Sequence, residues 1–390
     1  MPLLTGCLAL DLTDLKGQFA GKLLHDFGFE VIKVEPPAGD KVRRTGPFKD
    51  DVPHLEGSLR FAYLNAGKKS LTLDVQQPRG WDLLLSLAEQ ADVVIESGPP
   101  GALDLDALRA RNPKLLVTSV TGFGQTGPHR DYACPDIVGL AMGGLMYISG
   151  DPALPPVKAP ETQSYYFACA YAALGTLLAM WQRGSDGQGR AVDVSIQETI
   201  ASQEHIIRTF ATDGASIVRH GSQHEHVAPA NVFPTSDGYV YLFVTRPHWK
   251  LLMDFWPDHP PEFEGPEWLD NDFRHEHEHE INVKVEEFTR RFRRDDLAAQ
   301  LQGAGIPCLA LNSPTAFMHE EHIQARQLFQ PVQHPHLGSY LQTAFPLLVD
   351  GQRQPVAPPP LLGQHTREIL TERFALSPTD IELLFAQGVI

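Results

Sequence analysis

GFEVIKVEPPAGDKVRR (residues 28–44) sets the fold. Its first half is a run of alternating and β-branched apolar residues that reads as a strand, Glu30–Val34. Its second half is a Gly/Pro loop carrying Asp40, Arg43 and Arg44. On either side the same rhythm repeats. Leu8–Leu12 reads as a strand and 17–28 as an amphipathic helix; 78–90 reads as a helix, and Val93–Ile95 and Leu115–Val120 as strands. Strands alternating with helices predict an α/β fold with a mostly parallel sheet, helices on both faces and ligands at the carboxyl ends of the strands. Farther along, SYYFACAYAALGTLLAMWQR (164–183) reads as a buried helix stopped by GSDGQGR, with Gly175 marking close packing. AVDVSIQETIASQEHIIRTF (191–210) reads as a strand leading into a second helix. HGSQHEHVAPANVFPTSDG (220–238) reads as loop, YVYLFVT (239–245) as a strand, and the region to about 302 as helical. Domains are expected at 1–221, 222–325 and 326–390, the second being the smaller unit and the third a proline-rich tail ending in a helix.

A chain of 390 residues supports about two or three domains. With 42% hydrophobic and 21% charged residues it has the make-up of a soluble globular protein. Its formal charge of -16 repels polyphosphate and argues against nucleic acid as the main partner. Cys7, Cys134, Cys169 and Cys308 form no C-x-x-C pair and read as buried thiols of a reducing compartment. The N-terminal apolar stretch lacks a basic region and is broken by Asp11 and Asp14, and no run is long enough to span a bilayer. The expectation is a cytoplasmic protein with no membrane partner.

Four strand-end segments are candidates for binding. The loop with Arg43 and Arg44 suits a phosphate or is a solvated turn. NAGKKSLTLDV (65–75) puts Lys68 and Lys69 on a tight turn, suited to a flexible phosphate tail or simply exposed. ADVVIESGPPGAL (91–103) and TSVTGFGQTGPHRDY (118–132) end strands in glycine-rich loops holding Ser97, Gly98 and Arg130. Neither matches G-x-G-x-x-G or G-x-x-x-x-G-K-[ST], which weakens nicotinamide and P-loop readings. His275 and His279 stand at i and i+4 in HEHEHE, but no third ligand follows from spacing, and no metal is expected.

In order, VIKVEPPAGD, NAGKKSLTLDV, VVIESGPPGAL, SVTGFGQTGP, GQGRAVDVSIQE, GIPCLALNS and PLLGQHTREIL resemble successive blocks of the class III (CaiB/BaiF-type) CoA-transferases, from about residue 4 to 372. The resemblance implies a Rossmann-like large domain built from both chain ends, a small α+β domain between them, and two ring-like chains interlocked as a dimer. It implies acyl-CoA and a small carboxylic acid as substrates, with CoA along loops 36–43, 68–72 and 96–105. Arg43, Lys68, Lys69, Ser97, Gly98 and Arg130 are the expected CoA contacts.

Class III chemistry uses a nucleophilic aspartate that attacks the thioester to give a mixed anhydride. By resemblance that aspartate lies ten residues before Gly175, and PPVKAPETQSY places Tyr165 there. A phenol of ordinary pKa near 10 is mostly protonated at pH 7 and would form an aryl ester. Glu161 could serve in its place, or it is a helix-start carboxylate. The loop over the site would lie near Gly221–His224, with one glycine where relatives often have several, and His224 is a candidate acid or base. Ser97–Gly98 and Leu105 stand where relatives place an amide, an aromatic and a CoA-binding arginine. The sister racemisation needs a His where Pro135 stands, beside Asp136, and an Asp at Tyr165, which speaks against it. The expected function is therefore action on an acyl-CoA thioester through an altered site drawing on Tyr165, Glu161 and His224. The alternatives are lyase, hydrolase or isomerase chemistry on an acyl-CoA, or an Asp-less subunit paired with an Asp-bearing paralogue rather than with a second copy.

Overall fold

A computed structural model describes residues 4–203, 205 and 217–390. Six strands, β1 (Leu8–Leu12), β2 (Glu30–Glu35), β3 (Lys69–Thr72), β4 (Val93–Glu96), β5 (Leu116–Thr121) and β6 (Ala191–Ser195), form one sheet in the order β3-β2-β1-β4-β5-β6. Every neighbouring pair is parallel. The order reverses between β1 and β4, and an open parallel sheet leaves its ligand crevice beyond the strand ends at such a point.

The strand pleat explains the two apolar layers. Leu8 and Leu10 of β1 join Leu83, Leu84 and Leu87 of the helix Pro78–Ala88 on one face. Ala9, between them, joins Ala20, Leu24, Ala168 and Ala172 on the other. The second layer is supplied by α1 (Gln18–Asp26) and the long helix α6 (Gln163–Asp186). The tail returns to the first layer through Ile369, Leu370, Ile381 and Leu384, carried by two helices, Thr366–Phe374 and Pro378–Ala386, where the sequence predicts one.

Two compact units result: Met1–Met146, Lys158–Ala215 and His322–Ile390 form the first, and Tyr147–Val157 with Ser216–Glu321 the second. The sequence reading places 147–157 in the large domain. The structure ties it to the second unit, because Gly221 donates its N–H to the Gly150 carbonyl at 2.9 Å and Arg219 donates to the Asp151 and Tyr147 carbonyls. Part of the stretch expected to be loop is also a strand: Ala230–Pro234 pairs antiparallel with Tyr239–Phe243, which pairs with Cys308–Ala310. Proline and polar residues hide that strand from a periodicity reading. The end of the helix expected across 196–210 lies outside the described residues.

The helix α6 departs from expectation in one respect. It ends at Gly187, whose left-handed φ of 71° suits glycine, and Gly175 is required because a Cβ there would lie 2.9 Å from Val192. Only one side of it is buried, however. Phe167, Tyr171, Leu174, Leu178 and Trp181 lie exposed at helical spacing along the other. No helix among the described residues is long and apolar enough to cross a membrane.

Candidate active site

Two clefts open at the carboxyl ends of the strands in the first unit. The larger, about 650 Å3, is bounded by Lys33–Ala38 at the end of β2 and just beyond it, Leu73–Gln76 after β3, and Gly98, Ala102 and Leu103 after β4. The smaller, about 420 Å3, is lined by Lys16, Ser97, Gly98, Thr121, Arg130, Cys134 and Tyr165 among others. Gly98 belongs to both, so the clefts adjoin at the turn after β4.

The structure brings four of the expected residues together here: Ser97, Gly98, Arg130 and Tyr165. Ser97 anchors the β1–α1 turn, its hydroxyl donating to Asp14 Oδ1 and accepting from the Asp14 N–H, each at 2.8 Å. Gly98 donates its N–H to Glu96 Oε2 at 2.8 Å, and burial raises the pKa of the Glu96 carboxyl. Arg130 is half exposed and lies 3.3 Å from Asp131.

Tyr165 sits in the first turn of α6, almost completely buried, with its hydroxyl donating to the Cys134 carbonyl at 3.1 Å. Burial pushes its phenol pKa far up, and the Cys134, Asp136 and Asp14 side chains push the same way. The ring is therefore a neutral phenol at any physiological pH, and no phenolate nucleophile forms. Its position is fixed by a clamp between helix starts. Asp136 Oδ1, at the start of the helix Asp136–Met142, accepts from the Ser164 N–H at 2.9 Å and the Ser164 hydroxyl at 2.8 Å, while Lys158 lies 3.0 Å from Oδ2. Gly122 lets the chain fold back at this point, since a Cβ on it would lie 2.3 Å from Cys134 Cβ.

Glu161 precedes the helix N-cap, with φ of 58°, and is exposed, pairing with Arg60 at 3.1 Å. His224 belongs to the second unit, where its ring packs edge-on against Phe243 and its Nδ1 accepts from the His226 N–H at 3.2 Å.

Three expected CoA cations have other duties. Arg43 is fully buried: Nε and a terminal nitrogen bond Glu35 at 2.7 and 2.8 Å, and the other terminal nitrogen bonds Glu56 at 2.7 Å. Lys68 is equally buried, donating to Asp11 Oδ2 at 2.6 Å, the Gln18 carbonyl and Asn65 Oδ1. Both correct the picture of exposed loop cations, because a buried charge is stable only when paired and hydrogen-bonded. Lys69, partly exposed, lies between Glu30 at 3.1 Å and Glu368 at 2.7 Å. Lys16 and Cys134 were not legible as site residues, and Thr121 was legible only as part of the segment 118–132. Lys16 falls on a turn without a motif, and the other two line the cleft only because β5 and the chain before the helix Asp136–Met142 converge on α6.

The family model for CoA-transferase family III matches residues 4–366. The chain is 34% identical over 385 residues to a succinyl-CoA–D-citramalate CoA-transferase of Chloroflexus aurantiacus, covering 96% of this chain and 95% of that one. It is 30% identical to the BbsE subunit of succinyl-CoA:(R)-benzylsuccinate CoA-transferase of Thauera aromatica, covering 93% and 92%. A CAIB/BAIF family protein from Brucella suis superimposes with a TM-score of 0.84 at 28% identity, covering 96% of this chain and 99% of that one. Matched over nearly its whole length in sequence and in fold, this chain belongs to CoA-transferase family III, a family of transferase enzymes.

Proposed function

We propose that the protein binds an acyl-CoA thioester across the two adjoining clefts and acts on it, within the chemistry of CoA transfer between carboxylic acids, without a covalent intermediate at residue 165. The observation that carries this reading is the buried, neutral phenol of Tyr165 in a cleft shared with Ser97, Gly98 and Arg130. The larger cleft, walled by the loops after β2, β3 and β4, suits the nucleotide and pantetheine portions of CoA; the smaller suits the thioester. Gly98 at their junction leaves the chain slim enough for a ligand to pass between them. A hydroxyl in a water-poor cleft stabilises a thioester oxygen more than it would in bulk water. Several relatives carry succinyl-CoA in their names, which makes succinyl-CoA the first thioester to try. Glu161, exposed and paired with Arg60, is the other candidate acid–base group within the first unit.

We infer in addition that the working form is a dimer, because a 24-residue helix with five large apolar side chains exposed along one side is a surface that ordinarily finds a partner. A second reading, an Asp-less subunit paired with a related Asp-bearing chain, is favoured by one observation: the relative 30% identical to this chain is named as a subunit. Co-purification from the source cell tests it, and a lone homodimer that turns over an acyl-CoA ends it.

Calorimetric titration with free CoA and with succinyl-CoA tests the principal reading. Micromolar binding of both is expected. No binding of either at millimolar concentration defeats it.

A further inference from the structure

The cations around the carboxyl edge of the large sheet fall into two groups. Lys33, Arg43 and Lys68 are buried and committed to carboxylates. Lys33 lies 3.2 Å from Asp40 and 3.7 Å from Asp11, Arg43 is held by Glu35 and Glu56, and Lys68 by Asp11. Lys16 and Arg130 differ. Both line the smaller cleft, with side chains 24% and 51% exposed. An ammonium has three donors and a guanidinium five. Among the described residues the Lys16 ammonium bonds only Asp14 Oδ2, while Asp14 Oδ1 is occupied by the Ser97 hydroxyl and the Lys16 N–H. Arg130 uses Nε on Asp131 at 3.3 Å, and its terminal nitrogens bond nothing among the described residues.

The position of the Lys16 charge shows in its neighbours. Burial pushes the Cys134 thiol up to about 11 and raises the Glu96 carboxyl, and in both groups the Lys16 charge pulls the other way. The ammonium therefore stands within electrostatic reach of Cys134 on the cleft wall and of Glu96 beside the Gly98 turn. The charged side chains lining the smaller cleft are Lys16 and Arg130 against Asp131, an excess of positive charge in a chain whose formal charge is -16. The neutral phenol of Tyr165 adds no charge to that balance. A cleft of that sign favours an anion at the end of the acyl group over an uncharged tail. A carboxylate matches both cations, Arg through two parallel N–H donors and Lys as a compact charge.

We propose that the smaller cleft selects acyl groups that end in a second carboxylate, and that Lys16 and Arg130 are the residues that recognise it. This rests on the reading that the smaller cleft takes the thioester end of acyl-CoA. It moves Arg130 from the CoA moiety to the acyl group, and it gives a specificity role to Lys16, which no motif singles out.

The test compares wild type with K16M, R130M and the double variant by calorimetry against succinyl-CoA, butyryl-CoA and free CoA, without an acceptor acid. Butyryl-CoA keeps the chain length and puts a methyl where succinyl-CoA has its free carboxylate. Met keeps much of the length of Lys and Arg without the charge, and at partly exposed positions it leaves the fold intact. Wild type is expected to bind succinyl-CoA about tenfold more tightly than butyryl-CoA. In the double variant that preference should fall to about twofold or less, with affinity for free CoA unchanged and the single variants in between. Equal affinity of wild type for the two thioesters, a preference that survives in the double variant, or an equal loss for all three ligands overturns the proposal while leaving acyl-CoA binding intact. Failure of wild type to bind any of the three overturns the underlying reading, and the proposal with it.

Discussion

At the scale of single residues, the buried charges show how far a sequence can be read. NAGKKSLTLDV marks Lys68 and Lys69 as neighbours on a turn, and nothing in their spacing says that one points inward. The fold separates them: Lys68 meets Asp11 inside the molecule, and Lys69 stays near the surface. Burial by itself would raise the Asp11 carboxyl pKa, but Lys68 and Lys33 outweigh it and hold it below the ordinary carboxylate range. Its stabilising contribution is therefore complete above the unfolded value near 4 and is lost as pH falls through the lower folded value. Lys68→Met should cost about 3–5 kcal/mol in urea unfolding, because it leaves a buried carboxylate without its nearest cation. The double substitution Asp11→Asn with Lys68→Met should recover part of that loss. A single-variant cost below about 1 kcal/mol would show that the pair carries little of the local stability. The place of Tyr165 at the start of a long helix was legible from the run 164–183. Its hydrogen bond to Cys134 was not, since the two residues lie far apart along the chain and meet only in the folded protein.

Among the elements, β1, β2, β4 and β5 were legible nearly to the residue, because each is a short apolar run with Gly, Pro or Asp close by, whereas β3 (Lys69–Thr72) begins on a lysine that the sequence reading puts on a turn. Helix α6 was legible in extent and not in surroundings. Continuous apolar character reads as burial all round, yet Trp181 is 79% exposed on this single chain. The strand Ala230–Pro234 was missed because alternation is interrupted by Asn231 and Pro234. The exposed side of α6 yields a prediction of its own. Leu178→Glu combined with Trp181→Glu places charge on that side without touching the sheet, and should convert a dimer into a monomer in light scattering at micromolar concentration. A mass unchanged from wild type would show that some other surface makes the contact.

For the molecule as a whole, the composition and charge argue against nucleic acid as the main partner without naming another. The ordered blocks gave the family, now supported by a match over residues 4–366 and by a superposition covering 96% of the chain. They do not give the reaction, which on the reading proposed above turns on the residue in the first turn of α6. A carboxylate there would be an ionised nucleophile at pH 7, whereas a buried phenol is a neutral donor. The most direct measurement is mass spectrometry of the intact protein and its peptides after incubation with succinyl-CoA, searching for CoA joined to a side-chain carboxyl. The account predicts binding without any such adduct. A carboxylate-linked CoA thioester on any Asp or Glu of this chain would contradict it.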